Sequence, residues 1–183
     1  MQIFEPVSHV FLPYLVLQVS NPFYLISSNE INSYLVIIKH YKKMDKNAFA
    51  QKVVARMMET DLFSKWLGIE IIEINEGYSK IKMTIRNEMI NAFGIVHGGV
   101  TFSLADSAFA FACNNRNNLS VALDTSINFI KPVYVGDILI AEAKEIHNGK
   151  STGLYQISIT NQHNHVVALF KGTCFRTNKK LID

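Results

Sequence analysis

From residue 45 onward, apolar and polar positions alternate with periods that can be read directly. Phe49, Val53 and Met57, joined by Val54, Met58 and Leu62, recur at three- and four-residue spacings. They predict an amphipathic helix capped by Asp45, running toward Trp66 and stopped by Gly68. Residues 69–74 then read as a strand, Gly77 as a turn and 78–86 as a second strand, in which Ile81, Met83 and Ile85 alternate with Lys80, Lys82 and Arg86. Alternation of this kind buries one face and wets the other. Residues 98–114 are apolar on nearly every side, which predicts a buried helix, and its many Ala and Ser residues let other backbone approach closely. Four strand-like runs follow, at 120–130, 138–146, 154–160 and 166–176, separated by Pro132 with Gly136-Asp137, by Asn148-Gly149 and by residues 161–164. One antiparallel sheet curled around a single central helix satisfies this order, an α+β arrangement without internal repeats.

The segment before this pattern is different. Residues 6–29 contain no Asp, Glu, Lys or Arg, yet Pro13 and Pro22 interrupt them and Ser20, Asn21, Ser27 and Ser28 make them polar. No basic region or small-residue cleavage site flanks them, so neither a membrane span nor a signal peptide is expected. Composition changes at residues 40–44. We therefore expect an N-terminal extension over 1–43, either dispensable upstream sequence with Met44 as the natural start or an ordered piece that packs on the domain, followed by one domain over 44–183.

Composition narrows the chemistry. The chain has 183 residues, 49% hydrophobic and 18% charged, enough for one sizeable core. A net charge of +3 without a basic stripe argues against nucleic acid. Cys113 and Cys174 fit neither a zinc-finger spacing nor a disulfide framework, and suggest a reducing, cytoplasmic setting. His163 and His165 read as a surface turn with no third ligand nearby, so no metal and no cofactor is expected. No Gly-x-Ser-x-Gly elbow, Walker lysine loop or dinucleotide fingerprint occurs. Asp106 stands out: it is the only charged residue between Glu88 and Arg116, inside an apolar helix. A carboxylate there needs a reason, either catalysis as nucleophile or general base, or a structural role bonded to nearby hydroxyls or amides.

Asn91, His97-Gly98-Gly99, Phe102, Leu104-Ala105-Asp106, Ala108-Phe109-Ala110 and Ala112-Cys113-Asn114, with Phe129-Ile130-Lys131-Pro132 and Gly136-Asp137 downstream, resemble the hot-dog-fold thioesterases of the phenylacetate-degradation type. The resemblance runs from about Leu67 to Arg176 and leaves residues 1–43 without a counterpart. It implies hydrolysis of acyl-coenzyme A thioesters, preferentially aromatic ones, with Asp106 catalytic, the Gly98 amide as oxyanion donor and Asn91 orienting water or the acyl carbonyl. His97, Gly99 and Thr101 would line the substrate site, the alternatives being a structural role before the helix for His97 and packing for Thr101, and His97 is not expected to act as a base. Lys131, Lys150 and Arg176 are the cations available for the coenzyme's phosphates. Phe93, Phe102 and Phe109 can line an aromatic or a fatty-acyl pocket, or simply fill the core. A medium- or long-chain fatty acyl-CoA thioesterase and a non-catalytic acyl-CoA-binding module are the competing readings. A hot-dog dehydratase is disfavoured by the absence of its His-Phe-Pro-Gly run. Eight helical residues separate Gly98 from Asp106 by about 12 Å, too far to act on one carbonyl. If both are catalytic, each site joins two subunits, making a homodimer part of the mechanism and a homotetramer the expected assembly.

Overall fold

A computed structural model describes residues 14–18 and 23–183, and the sequence readings that fall on 1–13 and 19–22 lie outside the described residues. The chain divides into two compact units, Met1–Asp45 and Lys46–Asp183. The first contains a two-stranded antiparallel ribbon, β1 (Tyr14–Gln18) and β2 (Phe23–Ser27). Helix α1 spans Ser28–Thr60. This corrects the expected start at Asp45, which lies within α1 and caps nothing. No Gly or Pro occurs between residues 28 and 60, so nothing in that stretch stops a helix once it has formed.

The other end of the predicted helix is also divided. Asp61 interrupts it and caps α2 (Leu62–Leu67), accepting from the Ser64 N–H at 2.9 Å and the Ser64 hydroxyl at 2.6 Å. Gly68 ends α2 at φ 75°, a left-handed cap that favours glycine. The apolar face differs from the predicted one as well. Ala50, Val53 and Val54 are buried, whereas Phe49 and Leu62 are exposed.

The second unit carries β3 (Glu70–Asn75), β4 (Tyr78–Thr84), α3 (Gly98–Asn114), β5 (Ser120–Phe129), β6 (Ile138–Asn148), β7 (Thr152–Thr160) and β8 (Val166–Arg176). The six strands form one antiparallel sheet in the order β3-β4-β6-β7-β8-β5, so β3 and β5 are its edges. Helix α3 packs against all six strands. The expected strand alternation is present: Ile81, Met83 and Ile85 are buried, and the opposite face carries Lys82 paired with Glu70 at 3.0 Å.

Close approach between α3 and the sheet depends on small residues. A Cβ on Gly172 of β8 would stand 2.9 Å from Phe109 Cζ, so glycine there makes room for a buried aromatic ring of the helix. Phe109 also meets Tyr155 edge-on at 5.5 Å, and complete burial of such a ring stabilises the fold by about 1.5–3 kcal/mol. Ser79 donates to the Ala108 carbonyl at 2.6 Å, tying β4 to the middle of α3. At the far end the Asn115 side chain accepts from the Gly77 N–H and donates to the Asn75 and Tyr78 carbonyls, so the helix is pinned where it stops.

Helix α3 is less completely covered than its composition suggests. Gly99, Ser103, Asp106 and Ala110, spaced four, three and four apart, form a stripe that stays exposed or half-buried. The sheet covers the other faces, and α2 reaches one flank through a contact of 3.2 Å between Ser64 Oγ and Ser107 Oγ. Among the described residues, no helix is long and apolar enough to cross a membrane.

Candidate active site

The start of α3 is built by its flanking loop. The Val96 N–H donates to the Val133 carbonyl and the His97 N–H to the Met89 carbonyl, both at 2.9 Å, which fixes the chain entering the helix. His97 is the N-cap: its backbone is extended, at φ −62° and ψ 130°, and its Nδ1 accepts from the Gly99 N–H at 2.9 Å. A neutral His97 therefore carries its ring proton on Nε2. The Val100 N–H donates to the His97 carbonyl at 2.9 Å. Of the three leading amides, only that of Gly98 has no acceptor in the described hydrogen bonds.

That free N–H opens on a cleft of about 380 Å³ that Asn91, Gly98, Thr101, Phe129 and Lys131 help to line. Four of the residues proposed from sequence are thus brought together. Asn91 uses Oδ1 to accept from the Phe93 N–H at 2.8 Å, which makes it a turn former, and its Nδ2 is left without a protein partner in the described hydrogen bonds. Thr101 is buried one turn into the helix, and its hydroxyl likewise has no partner in the described hydrogen bonds. Lys131 lies two residues beyond the end of β5 and supplies the cleft's positive charge. The free Gly98 amide, the α3 dipole and a lysine together make this a place for an anionic or polarised oxygen.

Other expectations separate from the cleft. Gly99 has no free amide to offer, because its N–H is held by His97. Asp106 is two turns further along α3, about 12 Å from Gly98 by helical rise, and does not line the cleft. It sits half-buried on the open stripe with no partner in the described hydrogen bonds, and burial raises its carboxyl above the ordinary aspartate value. Lys150 stands in the β6–β7 turn, beside the bond from the Arg176 N–H to the Ser151 carbonyl, where β5 begins rather than ends. The ten residues of β5 put it roughly 30 Å from Lys131.

Arg176 is not a phosphate ligand. It is buried, donating to the Gly149 and Cys113 carbonyls, Ser120 Oγ and Asn148 Oδ1, and serves the packing of α3 on β8. Of the three phenylalanines considered for a pocket, Phe109 is core, Phe102 packs edge-on against Phe170 at 5.3 Å and Phe93 is exposed. The aromatic side chain that does line the cleft is Phe129, which belongs to the Phe129-Ile130-Lys131-Pro132 run of the resemblance but is not among the pocket candidates read from sequence. It lies 31 residues from Gly98, and no local spacing links the two.

The Thioesterase superfamily profile matches residues 93–168, a range that contains α3, most of the strands after it and the cleft-lining residues other than Asn91. The acyl-coenzyme A thioesterase PaaI of Escherichia coli is 46% identical over 120 residues, which cover 66% of this chain and 86% of that protein. The solved structure of the E. coli PaaI protein from the phenylacetic acid degradation operon superposes with a TM-score of 0.72 at 42% identity, covering 73% of this chain and 97% of the other. A Streptococcus mutans protein solved bound to acetyl-CoA superposes with a TM-score of 0.60 at 27% identity, covering 61% and 90%.

Proposed function

Since this chain belongs to the thioesterase superfamily and has its hot-dog fold, we propose that it hydrolyses aromatic acyl-CoA thioesters to the free acid and CoA. It is an acyl-CoA thioesterase. The Gly98 amide receives the thioester oxygen as charge develops on it, and Asp106 attacks the carbonyl carbon or deprotonates the attacking water. Asn91 Nδ2 orients that water or the carbonyl. Lys131 and Thr101, which share the cleft, hold the coenzyme, with His97 contributing from the helix cap. The observation that carries this reading is the unpaired Gly98 N–H at the mouth of a lysine-bearing cleft, on a helix that also bears Asp106.

A homodimer completes the site. Edge strand β5 is exposed on both faces, including Val121, Leu123 and Phe129, and an uncovered apolar edge is a template for a second strand. Pairing there with a second copy is how the Asp106 of one subunit would reach the Gly98 of the other, and two such dimers would form a tetramer. Lys150 contributes only if the assembly carries it to another subunit's site. Free Cys113 and Cys174 suit a cytoplasmic location.

The similarity to PaaI from a phenylacetic acid degradation operon supports the aromatic preference. Assay of phenylacetyl-, hydroxyphenylacetyl-, benzoyl- and straight-chain acyl-CoAs is expected to give arylacetyl substrates a kcat/KM at least about tenfold above straight chains of similar size. The opposite ranking assigns the enzyme to fatty acyl-CoAs.

Residues 44–183 are read as the catalytic domain. Among the described side chains of α1, Ala50, Val53 and Val54 are buried, and Asn47 and Gln51 bond to the Glu76 N–H and the Ile74 carbonyl. A chain beginning at Met44 keeps all of these contacts, so it is expected to retain its thermal transition and its turnover. Loss of the transition would make the extension part of the core.

A further inference from the structure

Gly98 is the first residue of α3, a position that any L-residue can occupy, and its φ is not in the left-handed region. Backbone conformation therefore gives no reason for glycine, which costs a helix conformational entropy. The reason lies across the cleft. A Cβ at position 98 would stand 3.0 Å from Phe129 Cζ and 3.4 Å from both Cε atoms, so the tip of the ring rests on the glycine. Phe129 is the last residue of β5 and is 57% exposed, so its ring lies at the cleft wall and outside the core.

Resting on the reading of Gly98 as oxyanion donor, we propose that Phe129 is a positioning residue for thioester hydrolysis, its ring holding the substrate carbonyl against the Gly98 N–H and keeping water from that amide. An amide donor in contact with water gains little from meeting a developing oxyanion, because water already satisfies it. With an aromatic ring displacing that water, the same bond forms in a lower dielectric and strengthens as charge accumulates. The effect belongs to the transition state, so it appears in kcat more than in KM. It also predicts that a side chain at position 98 lowers turnover even when its N–H is kept, because the new methyl displaces the ring.

The test uses the full chain and five variants: Phe129→Ala, Phe129→Leu, Gly98→Ala, the Gly98→Ala/Phe129→Ala double variant and Asp106→Asn. Phe129→Ala is expected to lower kcat about tenfold with KM changed less than about threefold, and Phe129→Leu, which restores apolar cover, to recover most of the loss. Gly98→Ala is expected to cost about tenfold alone but less than about twofold on top of Phe129→Ala, because the contact it disturbs is already gone. Additive losses, an unchanged kcat in Phe129→Ala, or losses that follow subunit dissociation or a collapsed thermal transition overturn the inference. An Asp106→Asn arm separates the two levels. If that variant keeps full turnover, the site reading beneath the inference fails. If it is inactive while the Gly98 and Phe129 losses are additive, only the role of Phe129 fails.

Discussion

Asp106→Asn is expected to lower kcat roughly 10²–10⁴-fold while the protein remains folded. The amide is nearly isosteric with the carboxyl but is neither a nucleophile nor a useful base, and no described hydrogen bond ties Asp106 to the fold. Stability should move the other way. Burial raises the folded-state pKa of Asp106 above its unfolded value, so the folded protein holds that proton more tightly than the unfolded chain does. The corresponding stabilisation is complete below about pH 4, the ordinary aspartate range, and is lost as pH rises through the higher folded value. At neutral pH the half-buried carboxylate therefore costs stability. The variant is expected to melt above wild type at pH 7, with the gap closing in acid. Thermal melts at both pH values, alongside turnover, check this. An inactive but less stable variant at pH 7 would show that Asp106 supports the fold, and undiminished turnover would remove it from the chemistry.

Mixing two inactive variants should restore activity. Gly98→Pro removes the free N–H, and the local backbone accepts the change: the position is the first of the helix, where proline is favoured, and His97 before it is already extended. No described hydrogen bond is lost, although the proline ring presses on Phe129. Asp106→Asn removes the other half of the site. In a dimer that contains one subunit of each kind, one site carries both lesions and the other carries none. Unbiased mixing gives about half heterodimers and so about a quarter of the wild-type sites, which neither parent should approach. Activity after co-refolding, with the heterodimer verified by mass and both parents shown to be folded, is the measurement. Verified heterodimers as inactive as the parents would place the reacting pair within one subunit or show that one member is misassigned.

The second unit was legible because its signals are local. Strands β3 to β8 and helix α3 fall within a few residues of the runs read from sequence, since alternation, Asn-Gly and Pro breaks and an apolar helical segment act over distances shorter than the elements they define. Asp106 could be singled out in the same way, as one charge in a long uncharged stretch. The start of α1 was misread because a capping residue is only permissive. Asp45 can begin a helix, but with no breaker upstream the helix simply continues through it.

What lay beyond reach depends on contacts between residues remote in the chain. Whether an amide at a helix start is free depends on its neighbours: His97 takes the Gly99 N–H and leaves that of Gly98, a choice made by one side-chain rotamer. The closeness of Lys131 to Gly98, the distance of Lys150 from both and the burial of Arg176 follow from strand order and register. The seat of Phe129 on Gly98 joins a strand end to a helix start across 31 residues. Sequence periodicity reports which face of an element is apolar, whereas the function of a polar group depends on what the folded chain brings within about 3 Å of it.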